Sequence, residues 1–565
     1  MEHESHSAIE PYGPWNPGIQ SHVPQELRHL ASIFRPENVF NGLTAATELR
    51  GLTGFALSEL VVFRPQRLAL HELLVRITAD FEVSDGSRIE DLGLNFREIA
   101  RLLLARYLEP EMSAIVSAYD RARGELKRTL DAAAAALSRG WGPSEVASFE
   151  RAAALGGGPM QAAAYKALAR VMLALFAAQG HAWGSRELIA SIATDLACND
   201  YGSDCVGSAI APLLERAVRE QGYKLLPRQE RPVVINTKGP SASGKSTLRP
   251  LQKLLAGDIG VNWSDFALIS PDIWRKQLLD YSSLGTAYKY AGPFTSDELQ
   301  IVDQKLDRYM AGKYQRGDMS HLLIDRFRFD SFAPDSNEAG SNLLTRFGQS
   351  VYLFFMITPP ELLVERAWKR GLEFGRYKAV DDTLAHAVEA YSGIPDVFFT
   401  WVRRSDKRIQ FEFLDNSVLF GERPRTVAFG DNDTFNVLDV KGILDIERFA
   451  RLNVDAASAQ FLYPHPALLA PEHNLGFLKR CVEGFRQVNF AEQTCGRIYL
   501  RIESRTPKMK DAEALETAML NADNRAAVLA VTAVAGLDVP TMRGALYLRD
   551  EANSGALPTL GHWGP

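Results

Sequence analysis

One stretch of the chain has the residue types and spacing of a phosphate-binding loop. Residues 239–246 read Gly-Pro-Ser-Ala-Ser-Gly-Lys-Ser and fit the pattern G-x-x-x-x-G-K-[ST]. The two glycines allow the backbone to curl so that successive N–H groups face one anion. In such loops the lysine, here Lys245, reaches the β- and γ-phosphates, and the hydroxyl of Ser246 binds Mg²⁺. The stretch therefore predicts a site for ATP (or GTP, since no motif reads the base) with Mg²⁺.

The elements on either side of this loop are those that the motif requires. An apolar run at residues 233–235 precedes the loop, and a helical segment at residues 248–255 follows it. A helix that begins directly after the loop directs the positive end of its dipole at bound phosphate. The residues expected to contact the nucleotide are Gly239, Pro240, Ser241, Ala242, Ser243, Gly244, Lys245, Ser246 and Thr247.

Short apolar runs alternate with helical segments from residue 229 to about residue 420. The runs lie at residues 233–235, 266–269, 322–324, 351–357 and 409–414. Continuous apolar runs of this kind are typical of parallel strands that are buried on both faces. The pattern predicts an α/β domain with a mainly parallel, five-stranded sheet.

The run at residues 266–269 is followed by Ser-Pro-Asp-Ile-Trp-Arg, which contains Asp272 and Arg275. In open α/β sheets the ligand lies outside the carboxyl ends of the strands. Asp272 is therefore predicted as the base that accepts the proton of an attacking hydroxyl, and Arg275 as a substrate contact. An aspartate between a proline and a helix is also a favoured N-cap, and both roles can hold at once.

The run at residues 322–324 ends in Asp325, which is predicted as a second carboxylate on the metal side that orders the water around Mg²⁺. Arg328, or Arg326, is a candidate contact for a substrate phosphate. A structural ion pair between Asp325 and one of these arginines is the alternative.

Three further arginines lie in or at the end of the segment at residues 358–376. Arg366 and Arg370 are neighbours on one helical face at i,i+4, and Gly371 and Gly375 then break the helix and bring Arg376 round. Three guanidinium groups that converge on the transferred phosphate would stabilise its developing charge. Alternatively, they form the solvated basic end of a helix, which the helix dipole favours.

Together these motifs resemble the zeta-toxin family of P-loop kinases. The resemblance covers residues 229–420 and is carried by GPSASGKST, SPDIWR, LLIDRFR, TPPELLVERAWKRGLEFGR and FEFLDNS. It implies a doubly wound kinase core that transfers the γ-phosphate of ATP to a hydroxyl, in the best-known members that of UDP-N-acetylglucosamine.

By position, the resemblance implies phosphate and Mg²⁺ contacts for Lys245 and Ser246, the base role for Asp272, and lid roles for Arg366 and Arg376, with Arg370 an additional candidate. One departure is Arg326-Phe327, where a small pair is expected beside the substrate. Another is the acidic substrate contact, which does not align. Asp303 and Asp307 share a helix face at i,i+4, but we expect that face to be solvated.

The resemblance does not extend to the 228 residues before this region or to the 145 residues after it. Residues 1–40 form an irregular, proline-containing lead-in, residues 41–228 a helical domain, and residues 421–565 a C-terminal α+β region. The helical domain is larger than a kinase needs, which makes a protein partner for this region possible.

Composition narrows the class of protein. The 565 residues contain 63 Lys and Arg against 69 Asp and Glu, a net charge of −6, and 46% apolar residues. This balance is typical of a globular protein and argues against disorder and against a broad basic surface. Four cysteines, the absence of an apolar signal sequence and the absence of an apolar run of membrane-spanning length predict a cytoplasmic protein.

Three functions are consistent with the sequence. The first is a kinase that phosphorylates a hydroxyl of a small molecule, such as a nucleotide sugar. The second is a polynucleotide kinase, which the net charge disfavours because binding to a nucleic-acid backbone needs concentrated cations. The third is a nucleotide-gated protein whose helical region binds a partner.

Overall fold

The computed structural model describes residues 12–137, 141–325, 341–419, 421–532, 545–551 and 554–564. The chain divides into two compact units. The first, the sheet unit, comprises Met1–His22, Pro227–Ser270 and Met310–Pro565; the second, the helical unit, comprises Val23–Leu226 and Pro271–Tyr309.

The α-helices of the described residues are numbered in chain order. They are α1 Leu43–Thr53, α2 Leu57–Leu60, α3 Pro65–Asp80, α4 Asp91–Leu103, α5 Met112–Ala135, α6 Pro143–Leu155, α7 Pro159–Gln179, α8 Arg186–Ala197, α9 Ser203–Gln221, α10 Arg249–Asp258, α11 Arg275–Leu278, α12 Ala291–Phe294, α13 Ser296–Gln315, α14 Pro360–Phe374, α15 Val380–Val402, α16 Val440–Phe449, α17 Gly476–Gly484, α18 Ala512–Ala518 and α19 Ala522–Thr532.

The strands form one sheet in the sheet unit. They are β1 Val233–Lys238, β2 Phe266–Ile269, β3 His321–Asp325, β4 Ser350–Ile357, β5 Arg408–Asp415, β6 Arg425–Asp431, β7 Thr434–Val437, β8 Gln487–Ala491, β9 Ile498–Glu503 and β10 Thr506–Met509. Their order is β10-β9-β8-β7-β6-β5-β4-β1-β3-β2.

The α/β class and the five predicted strands are confirmed. Strands β1 to β5 are mutually parallel where they pair, and β1 lies between β3 and β4. The chain thus runs to one side of β1 for β2 and β3 and to the other for β4 and β5. This change of direction places a crevice at the carboxyl end of β1, where ligands bind in such sheets.

The prediction of a five-stranded sheet is wrong, because the sheet has ten strands. Strand β6 pairs antiparallel with β5, and β7 to β10 continue the sheet beyond it. An aromatic core explains the continuity. The Phe398 ring of α15 contacts Phe411 and Phe413 of β5 as well as Phe435 of β7, with centroid distances of 4.8 to 6.1 Å. One apolar layer therefore covers both parts of the sheet.

The helical unit is built around α3, which is buried over most of its length and packs against α9 and α5. The expectation of a solvated face at Asp303 and Asp307 of α13 is wrong, since these residues are 2% and 5% exposed. Among the described residues α7 is long and apolar enough to cross a membrane by length and composition, and 39% of its apolar window is buried.

Candidate functional site

The predicted phosphate-binding loop, residues 239–246, leaves the carboxyl end of β1 with three residues in backbone conformations that L-residues seldom adopt. The φ angles of Gly239, Ala242 and Gly244 are 155°, 65° and 89°. A 3-10 turn, Lys245–Leu248, and then α10 follow directly. Alternation of ordinary and positive φ values curls the main chain and turns successive N–H groups toward one side.

Both glycines are also required by close packing. A Cβ atom on Gly239 would lie 2.7 Å from the Cβ of Met356 in β4, and one on Gly244 would lie 2.3 Å from the amide nitrogen of Asn416. The loop is therefore pressed against the ends of β4 and β5, and its shape is set by the sheet as well as by its own sequence.

Lys245 folds back over the loop. Its ammonium group donates hydrogen bonds to the carbonyl oxygens of Gly239, at 3.0 Å, and Pro240, at 2.9 Å. The Thr247 hydroxyl donates to the carbonyl oxygen of Gly244 at 2.6 Å and fixes the start of the helix. The backbone of the loop therefore holds the ammonium group in place.

The clearest long-range contact of the loop joins Ser246 to Asp325. The Ser246 hydroxyl donates to Oδ2 of Asp325 at 2.8 Å. The contact forms because β3 lies beside β1, with Asp325 opposite Thr237 in the register. A hydroxyl and a carboxylate are oxygen ligands of the kind that Mg²⁺ prefers, so the donor set fits the predicted metal. No group of three or more His, Cys, Asp or Glu side chains suited to a metal is found among the described ranges.

The end of β5 supports the loop from the other side. The Asn416 side-chain amide donates to the carbonyl oxygen of Ser243 at 2.7 Å. Arg366, predicted as a lid residue, donates to the carbonyl oxygens of Asn416 at 2.8 Å and Val418 at 3.1 Å. In this structure Arg366 therefore positions the segment that holds the loop.

The other two predicted lid arginines follow along and after α14. Arg370 Nη2 lies 3.4 Å from the Ser241 hydroxyl, which brings this guanidinium group to the loop. Helix α14 ends at Gly375, whose φ of 68° is left-handed, and Arg376 follows in the connection to α15. The predicted break of the helix is thus confirmed at Gly375 and wrong at Gly371, which lies inside α14 with the Tyr377 ring packed over it.

Asp272 and Arg275 lie in the helical unit. The Nε of Arg275 donates to Oδ1 of Asp272 at 2.8 Å, and its Nη1 donates to the carbonyl oxygen of Gly292 and to the Thr295 hydroxyl. The Asp272 side chain is 49% exposed. Arg275 therefore orients the predicted base, and its substrate role stays a prediction. Arg328 lies outside the described residues.

A residue that the sequence analysis did not single out, Lys378, also lies at this site. It is buried beside α15, and its charged neighbours include Lys245 and Arg370. The i,i+4 spacing of Lys378, Asp382 and His386 is a signal that could have identified it.

No protein-family model, no curated protein and no solved structure matches the chain.

Proposed function

We propose that the protein is an ATP- and Mg²⁺-dependent phosphotransferase that moves the γ-phosphate to a hydroxyl of a small molecule. The sequence resemblance adds a nucleotide sugar, such as UDP-N-acetylglucosamine, as the first acceptor to test. The single observation that carries the proposal is the Ser246–Asp325 hydrogen bond beside the curled loop.

This contact supports a nucleotide site because it joins the two groups that flank Mg²⁺ in P-loop enzymes. They come from separate elements, 79 residues apart in the chain, and Ser246 follows directly after Lys245, whose ammonium group is hydrogen-bonded to the loop. A glycine-rich surface turn that binds no ligand would not require a carboxylate beside the hydroxyl of its last residue.

The chain's own residues would act as follows. The loop amides, Lys245 and Arg370 hold the phosphates, and Ser246 and Asp325 hold the metal, which when bound offsets phosphate charge. In the role that the sequence resemblance gives it, Asp272 would accept the proton of the acceptor hydroxyl, whose oxygen forms a bond to the γ-phosphorus. The bond from that phosphorus to the bridging oxygen breaks, and ADP leaves. Most of the catalysis in such a step comes from positioning and charge stabilisation.

The test is mass spectrometry of small-molecule extracts from cells that express either the wild type or Asp272→Asn. We expect one species that gains the mass of a phosphate with the wild type and loses the gain with the variant. The purified protein should then transfer label from γ-labelled ATP to that species.

Asp406→Asn is the matched control, because Asp406 is an exposed carboxylate that pairs with Arg404 in the turn before β5. It should behave as the wild type. If no acceptor gains label, and Lys245→Ala equals the wild type in every assay, the phosphotransferase proposal is wrong.

A further inference from the structure

A cavity of about 490 Å³ lies on one face of the sheet, at the amino ends of three neighbouring strands. Val233, Ser350 and Arg408, which line the cavity, are the first residues of β1, β4 and β5. The predicted phosphate-binding loop follows the other end of β1. Helix α10 begins after that loop, and its last residue, Asp258, lines the cavity. A helix of ten residues is about 15 Å long, so the cavity is separate from the candidate nucleotide site.

The floor of the cavity is formed by the amino-terminal halves of β4 and β5. Tyr352 is paired with Gln410 in the register of these strands, and Ser350 is paired with Arg408. All four residues line the cavity. Residues two apart in a strand share a face of the sheet, since successive side chains point to opposite faces. The floor therefore carries a phenol, a hydroxyl, a guanidinium group and an amide.

Two segments form the walls, and both are partly apolar. The apolar wall residues are Ile259 and Val261 after α10, and Leu557 and Pro558 in the segment at residues 555–561. This segment is fixed on the sheet by Glu412 of β5, whose carboxylate accepts hydrogen bonds from the backbone N–H groups of Leu560, at 2.6 Å, and Gly561, at 2.9 Å. Glu412 follows Gln410 on the same face of β5. The chain's own hydrogen bonds therefore hold this wall beside the floor.

The amide oxygen of Gln410 points to a ligand. Gln410 is 8% exposed, and its Oε1 is buried and has no hydrogen-bond partner among the described residues. A buried carbonyl oxygen without a partner costs free energy, which a bound N–H donor would offset. Arg408, two residues earlier on the same face, is exposed and adds a positive charge at the cavity. The floor thus offers an acceptor for an N–H group next to a cation.

We propose that this cavity binds a small carboxylic acid that carries an N–H group and an apolar group, as an apolar amino acid or its N-acyl derivative does. The N–H group would donate to Oε1 of Gln410, and the carboxylate would pair with Arg408. The Cα atoms of these two residues are about 7 Å apart in a strand, and in such a ligand one carbon carries both the nitrogen and the carboxylate. The apolar group would lie against the walls, in a volume within the range of about 300–1,000 Å³ that small-molecule pockets occupy.

Saturation-transfer NMR titrations of the full chain test this inference. The probes are L-leucine, L-phenylalanine and their N-acetyl derivatives. Isocaproate matches L-leucine but lacks the N–H group, and L-leucinamide lacks the carboxylate. We expect each of these two analogues to bind at least about 10-fold more weakly than L-leucine, because each leaves one group of the floor unpaired. Tighter binding of the free amino acids would assign that form of the ligand, and tighter binding of the N-acetyl derivatives would assign the acyl form; either result supports the inference.

Substitutions in the floor locate the bound probe. Arg408→Gln and Gln410→Met should each weaken binding by at least about 10-fold. The matched control is Arg404→Gln, because Arg404 lies in the turn before β5 and pairs with Asp406 at 2.7 Å. This variant should bind the probes as the wild type does. Thermal unfolding shows whether each variant is folded, and Pro558→Trp, which would fill the cavity from its wall, gives a second test that leaves the floor unchanged.

Three results would overturn the inference. One is that none of the probes binds the wild type. Another is that isocaproate and L-leucinamide bind as tightly as L-leucine does. The third is that folded Arg408→Gln, Gln410→Met and Pro558→Trp all keep the wild-type affinity. The phosphotransferase proposal is not affected by these results, because the probes contain no phosphate.

Discussion

Each unit of this protein has charged groups in its interior, but the two units differ in which signs of charge lie next to one another. In the helical unit Arg67 of α3 makes a two-point contact with Glu298 of α13, at 2.5 and 2.7 Å. His71 Nε2 lies 2.7 Å from the same carboxylate, and Lys305 donates to the Ser203 hydroxyl at 2.6 Å. These groups, which we call the helical charge cluster, combine positive and negative charge.

The helical charge cluster shifts pKa values in the way a closed network should. Burial raises the pKa of Glu298, but Arg67 and His71 outweigh it and hold that pKa well below its ordinary range. Burial, and then the charge of Lys305, lower the pKa of His71 to about 4, so its imidazole is neutral. The ring lies between Glu298 and Lys305 and is hydrogen-bonded to both. Burial likewise lowers the pKa of Lys305 to about 8, against the attraction of Glu72.

Around the phosphate-binding loop the close neighbours of one cation include other cations. Lys378 lies beside both Arg370 and Lys245. Bringing like charges together in a partly buried place costs folding free energy, and a bound anion removes that cost. We expect the balanced charges of the helical charge cluster to stabilise the fold, and the neighbouring cations near residues 239–246 to favour a bound anion.

The largest effect should come from Lys245→Met. We expect nucleotide affinity or phosphate transfer to fall by at least about 100-fold, since the lysine supplies charge at the β- and γ-phosphates. The free energy of unfolding should change by no more than about 1 kcal/mol, because neighbouring cations such as Lys378 repel this ammonium group. Calorimetry and denaturant titration measure the two quantities. Lys253→Met, at an exposed position of α10, is the matched control. A large loss of stability without a loss of binding would show that Lys245 has a structural role and not a ligand-binding one.

Glu298→Gln should do the opposite. Removing the carboxylate leaves Arg67 buried without its counter-charge, and such a loss typically costs about 3–5 kcal/mol of unfolding free energy. Denaturant unfolding gives the value. The control is Glu59→Gln, which breaks the exposed pair with Arg170 and should cost at most about 1 kcal/mol. Equal effects of the two substitutions on the free energy of unfolding would show that the helical charge cluster stabilises the fold no more than an exposed ion pair does.

His71→Gln addresses the pH dependence of the same cluster and has the smallest expected effect. Because the pKa of His71 is lower in the folded state than its ordinary value, the unfolded chain binds more protons as the pH falls from 6.5 toward 4. This part of the stability is complete above pH 6.5 and is lost on acidification, by about 1.4 kcal/mol per pH unit at most. The substitution should remove that slope from unfolding curves. His181→Gln, which changes an exposed histidine of the same unit, should leave the slope unchanged.

The sequence predicted the parts of the site that are contiguous in the chain. The loop and its glycines, the strand before it and the helix after it follow from local spacing, because backbone curl and helix start are decided within about ten residues. The five parallel strands were predictable for the same reason, since their apolar runs are short and uninterrupted.

His71 shows that contacts between helices distant in the chain cannot be predicted from the sequence of either helix. It lies in α3, but only the packing of the helices shows that it contacts Glu298, 227 residues away in the chain. The periodicity of one helix carries no information about the charge on the helix that covers it. For the same reason the predicted solvated face at Asp303 and Asp307 was wrong.

The sequence by itself determined the shape and charge of the predicted phosphate-binding loop, residues 239–246, and the α/β class around it. Only the tertiary structure decided that Asp325 contacts Ser246 and that the Asn416 amide is hydrogen-bonded to the loop. It also decided that the charges of Lys245 and Arg370 act on Lys378, and that the sheet extends to ten strands. The reason is that strand neighbours are chosen by how whole layers bury their apolar faces, and no local stretch of sequence specifies that choice.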